Sequence, residues 1–109
     1  RALLRRQGTG TARIAVLVSG MGRSNARAAL ERALERGRPA LVLTAGFAGG
    51  LDPALERGRV VFDADDPSLA TSLAAVPGLK QVTFHCAESV ATTPEQKRAL
   101  RAATGADAV

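Results

Sequence analysis

The feature that most narrows what this chain can fold into is a pair of short apolar runs separated by a helical repeat. Ile14-Ala15-Val16-Leu17-Val18 is continuously apolar and bounded by polar and glycine residues, the signature of a strand covered on both faces. From Ser24 the period changes. Ala26, Ala29, Leu30, Ala33 and Leu34 fall at i, i+3, i+4, i+7 and i+8 and form one apolar stripe on a helix. Ser24 is the expected N-cap, and Gly37 is expected to end the helix before Pro39. Leu41-Val42-Leu43-Thr44 then reads as a second buried strand. Strand, helix and strand within about thirty residues predict a βαβ unit with parallel strands.

The pattern continues with less contrast. Residues 45–50 are rich in glycine, and residues 52–58 carry turn chemistry. Residues 59–62 read as a third strand, 67–75 as a short helix, and 82–84 as a fourth strand. Thr93-Pro94-Glu95-Gln96 is the clearest helix start in the chain. Thr93 suits the cap, Pro94 the first helical position, and Gln96 the reciprocal acceptor of a capping box. Gly105 stops that helix, and residues 106–109 begin an extended segment. These elements predict one α/β domain over residues 1–109. The chain starts at Arg1 and breaks off at Val109 within an expected strand, so the domain is expected to be incomplete at both ends, with an exposed strand edge prone to self-association.

Composition excludes several classes of function. With 109 residues, one core is possible, hiding roughly two-thirds of the unfolded chain's surface. Apolar residues make up 46%, but there are three Phe and no Trp or Tyr, so aromatic platforms for stacking nucleic-acid bases are nearly absent. The formal charge of +5 comes from 15 Lys and Arg against 10 Asp and Glu. These are scattered, many beside Glu on helices, and they read as a solvated surface instead of a nucleic-acid face. The apolar runs are too short to span a bilayer. The single cysteine, Cys86, cannot form an internal disulfide and fits a reducing, cytoplasmic setting.

Two loops are the candidate sites. Gly20-Met21-Gly22 lies between an expected strand and a helix N-terminus, where bare backbone and the helix dipole favour an anion. Asn25 stands where a dinucleotide-binding loop would place its third glycine, and Thr44 where its acid belongs. The alternative is a tight turn. The second loop, Gly46-Phe47-Ala48-Gly49-Gly50, follows the next expected strand and leaves much backbone uncovered. Its alternative is a sharp turn before the third strand. His85 and Cys86 would diverge on a strand, which favours a buried structural thiol over a catalytic dyad. Asp63, Asp65 and Asp66 lack a His partner and precede Pro67, as a solvated loop would.

At the two loops the sequence resembles a known family. Residues 18–26 (VSGMGRSNA), 44–51 (TAGFAGGL), and the strand start Gly58-Arg59-Val60-Val61 are similar to the purine/uridine phosphorylase superfamily. Members of the methylthioadenosine/S-adenosylhomocysteine nucleosidase type look closest, and residues 104–109 resemble the lead-in to the family's Met-Glu ribose motif. The resemblance implies a three-layer α/β fold around a central mixed sheet. It implies cleavage of a nucleoside N-glycosidic bond through an oxocarbenium-like transition state, by water or phosphate. It further implies that Gly46, Phe47, Ala48 and Gly49 lie along base and ribose, that Ser89 and Val90 fall near the base pocket, and that Gly20, Gly22 and Arg23 serve the nucleophile side.

The same resemblance implies a small-molecule nucleoside as partner, no cofactor beyond phosphate as a possible co-substrate, and a homo-oligomer. Three departures qualify it. Thr44 stands where phosphorylases of the family typically carry a phosphate-gripping arginine, which favours hydrolysis, with Arg23 as a candidate substitute. Phe47 replaces a small hydroxyl residue. The family's water-activating glutamate, ribose-binding Met-Glu and base-protonating aspartate are not among these residues, so the 109-residue chain by itself is expected to be inactive. The alternatives are a non-catalytic nucleotide- or anion-binding module and a structural α/β domain without a ligand.

Overall fold

The computed structural model describes residues 2–3 and 13–109, the former as backbone only. It divides into two compact units, Arg1–Thr44 and Ala45–Val109.

In the first unit, β1 (Ala2–Leu3) pairs antiparallel with β2 (Val16–Leu17), with Ala2 opposite Leu17 and Leu3 opposite Val16. The expected strand over residues 14–18 is thus shorter, and its side chains are exposed instead of covered on both faces. Helix α1 (Arg23–Leu34) forms where the apolar stripe predicts it. Its N-cap is Gly22, not Ser24, and no side chain caps it. The reason is the backbone: Gly22 holds φ 92, a conformation open to glycine, so the chain enters the helix two residues early. Of the stripe, Ala29 is buried, Leu30 and Ala33 are half-buried, and Ala26 and Leu34 are exposed.

Leu41, Val42 and Leu43 are in no ladder and stand exposed. The βαβ unit expected over residues 14–44 is therefore absent among the described residues. A strand needs a neighbour to hold it, and β-propensity without one does not make a sheet.

The second unit contains the parallel crossover instead. Strands β3 (Val60–Phe62) and β4 (Leu79–Gln81) pair in parallel, Val60 with Leu79 and Phe62 with Gln81, and α2 (Pro67–Ala74) connects them and packs against β4. Asp66 starts α2 by accepting from the Ser68 and Leu69 amides at 2.7 and 3.2 Å. Two members of the acidic cluster are thus turn and cap acceptors, Asp63 taking the Ala64 amide. The sequence pattern predicts the fourth strand at residues 82–84, but the ladder with β3 lies just before it. Lys80 and Gln81 offer no apolar alternation that would mark a strand there.

Helix α3 (Pro94–Thr104) begins with the expected capping box and ends at Gly105 in the left-handed conformation, φ 70. The chain then turns back as an extended segment. The Asp107 and Ala108 amides donate to the Thr83 carbonyl, and the His85 amide donates to the Ala108 carbonyl at 3.0 Å. Ala108 forms a parallel bridge with Phe84 and an antiparallel one with Gly50. This segment is the centre of the unit. Ala106 and Ala108 are 2% and 1% exposed, and Leu51 and Val82 complete the core. Helices with both antiparallel and parallel strand pairs make a mixed α/β chain, in keeping with the sequence.

Candidate functional site

The two glycine loops differ in a way the sequence does not reveal. In the first, Gly20 and Gly22 hold φ 81 and 92, so the turn itself requires glycine. Asn25 braces it by donating from Nδ2 to the Met21 carbonyl at 2.7 Å. Gly22 then opens α1, whose first turn carries no acidic residue. The first turn therefore places no carboxylate of its own against the positive end of the helix dipole. Arg23 is the first helical residue.

In the second loop, Gly46, Gly49 and Gly50 all lie outside the left-handed region, and residues 45–49 run without a turn. The sharp-turn alternative is not what the backbone does. A Cβ at Gly46 would meet nothing, and one at Gly49 would meet the Val109 side chain at an ordinary 3.5 Å. Neither conformation nor packing of this chain demands glycine at position 46. Gly49 is paired in both directions with Val109, its N–H donating at 2.6 Å and its carbonyl accepting at 2.9 Å. The amides of Gly46, Phe47 and Ala48 make no such bonds among the described residues. Phe47, between them, is fully exposed, an aromatic ring held in water beside bare backbone.

Ser89 and Val90 belong to the same unit. They border a hollow of about 260 Å³ with His85 and Glu88 on one side and Gln96 and Leu100 of α3 on the other. The second loop and the 84–85 stretch flank the Ala106–Ala108 core strand on its two sides, through Gly50 and Phe84. Cys86, expected to be buried, is exposed, because residues 85–91 leave the ladder after His85 and form no strand. Among the described residues, no group of His, Cys, Asp and Glu is arranged to hold a metal ion, and no helix is long and apolar enough to cross a membrane.

Against this geometry, the sequence pattern described as the phosphorylase superfamily matches residues 4–63, more than half of the 109-residue chain. The chain belongs to the phosphorylase superfamily. The matched span includes both glycine loops and β3, and it stops before Ser89 and Val90. Membership of the superfamily carries an enzymatic role of the nucleoside-phosphorylase kind. No curated protein and no solved structure matches the chain.

What sequence reasoning missed lies at the loop's exit. The Arg101 guanidinium bonds the Asp107 carboxylate at 3.2 Å and the Asp52 carboxylate at 3.5 Å. Asp107 also accepts the Thr83 amide at 2.9 Å. That backbone bond, the largest influence, holds the Asp107 carboxyl below its usual range against the opposing effect of desolvation, with Arg101 adding to the lowering. Charged residues this far apart in the chain give no local signal, since neither periodicity nor a short motif joins them.

Proposed function

We propose that this segment forms the nucleoside side of an N-glycosidic cleavage site, with the second loop as its main contact surface. The observation that carries the reading is the loop's bare backbone. Gly46 is glycine where the fold does not require it, so the missing side chain makes sense as room for a ligand. Beside it, the unbonded amides of residues 46–48 are donors for ribose hydroxyls or for the attacking nucleophile, and the exposed Phe47 ring offers a face for a base. The Gly49 amide is committed to Val109 and does not take that part. Ser89 and Val90 at the neighbouring hollow would border the base. For Gly20, Gly22 and Arg23 of the first unit, a role on the nucleophile side is proposed from the family resemblance alone.

The leaving base and the cationic ribose of the transition state need an acid and a carboxylate. Neither is assigned to any of these residues, which bind and orient. With Thr44 at the position of the phosphate-gripping arginine, water is the proposed nucleophile and purine nucleosides the proposed substrates. The protein would act in the cytoplasm as a homo-oligomer.

The test is release of free base from purine nucleosides by the full-length protein, with and without inorganic phosphate. Release without phosphate is expected. Strict dependence on phosphate would make the protein a phosphorylase despite Thr44, and no release in either condition would refute the reading.

A further inference from the structure

We propose that Arg101 is a positioning residue that sets the exit of the second glycine loop, and through it the surface offered to the nucleoside. The inference rests on the proposed function and extends it to a residue of α3.

Beyond the Gly49–Val109 pair, the loop's exit is tied down through Asp107. The Asp107 carbonyl accepts from both the Leu51 and the Asp52 amides, at 2.8 and 3.0 Å. This brings two acidic residues together on adjacent backbones at the edge of the core. Their carboxylates share one cation. Arg101 Nη1 reaches Asp107 Oδ1 at 3.2 Å and the Ala106 carbonyl at 3.4 Å, while Nη2 reaches Asp52 Oδ2 at 3.5 Å. All three side chains are partly covered, with exposures of 36% for Arg101, 22% for Asp52 and 29% for Asp107, so water screens the two acids incompletely. The planar guanidinium can hold two partners in fixed directions, which an ammonium does less well. Asp52 also shapes the turn after the loop, where its Oδ1 accepts the Ala54 amide at 2.9 Å.

Without the cation, Asp52 and Asp107 repel each other where Leu51 and Asp52 must dock. Gly49, just before that exit, stays paired with Val109, so the expected result is an exit that is loosened at Leu51 and Asp52, not a lost fold. Small misplacement of a binding surface is enough to reduce kcat/KM by roughly ten- to a hundredfold.

The experiment compares Arg101→Met, Arg101→Lys and the double variant Arg101→Met/Asp52→Asn in the full-length protein. It follows amide hydrogen exchange and the kinetics of base release. For Arg101→Met, faster exchange at Leu51 and Asp52 with unchanged exchange in β3 and α2 is expected, together with a raised KM and a kcat within about twofold. Arg101→Lys should fall between, and the double variant should recover both readouts because the repulsion is gone. Unchanged exchange at Leu51 and Asp52 overturns the proposal, as does a loosened exit with an unchanged KM, or acceleration spread evenly over the unit. If the unsubstituted protein releases no base, the functional reading fails by itself. The exchange pattern then still decides whether Arg101 positions the loop.

Discussion

Replacing Gly46 by Ala should make the protein more stable and a poorer enzyme, and the two effects can be estimated separately. Gly46 has no left-handed backbone to lose and its added methyl would meet no protein atom. The folded state therefore accepts alanine without strain, while the unfolded chain loses freedom. That difference stabilises by about 0.4–1 kcal/mol, or roughly 2–8 °C in melting temperature for a domain of this size. If a nucleoside packs against the bare backbone, the same methyl intrudes on it. Overpacking of that kind costs about 1–3 kcal/mol, which is roughly a five- to 150-fold rise in KM. Thermal melts followed by circular dichroism and initial rates of base release give both numbers on one preparation. Gly105→Ala is the internal contrast: at φ 70 with open space around it, it should lose about 1–2 kcal/mol from backbone strain. A Gly46→Ala protein that is stabilised but retains its KM would refute the role given to the loop. One that is destabilised would show that the fold itself needs glycine there.

Thr93→Ala removes the acceptor of the Gln96 amide at 3.2 Å and should lower stability by about 1 kcal/mol. Gln96→Ala deprives the Thr92 and Thr93 amides of their acceptor; the two changes should be less than additive in urea titrations because they break one box. Asp66→Ala should cost a similar amount, about 1 kcal/mol, at the start of α2. Asp107 supplies a pH dependence. Its folded pKa lies below the ordinary 3.8, so its contribution to stability is present above that value and is lost as pH falls through the folded pKa. Urea midpoints of Asp107→Asn and the unsubstituted protein should differ at neutral pH and converge toward the acid limit; parallel curves down to that limit would contradict the sign.

The parts that can be read from the sequence are those whose causes are local. Helix α3 is legible at both ends because a capping box and a left-handed glycine are short-range arrangements, complete within a turn of chain. The apolar stripe of α1 and the Asp66–Pro67 start of α2 are of the same kind, and the family resemblance rests on two contiguous loops. Ser24 misleads as a cap because glycine geometry at position 22 takes precedence over side-chain preference. What the chain does with its strands is decided by tertiary pairing. Leu41, Val42 and Leu43 have the composition of a buried strand and stand exposed, while Lys80 and Gln81 have a poor one and form a parallel ladder. A strand's hydrogen bonds belong to its neighbour, and no neighbour is written in its own residues. Only the folded chain, likewise, separates glycines that the backbone requires from Gly46, which it does not, and gathers Asp52, Arg101 and Asp107 around one guanidinium. The sequence determined the helices and the family because their signals are short-ranged; the sheet partners and the polar junction behind the loop came from contacts between residues far apart in the chain.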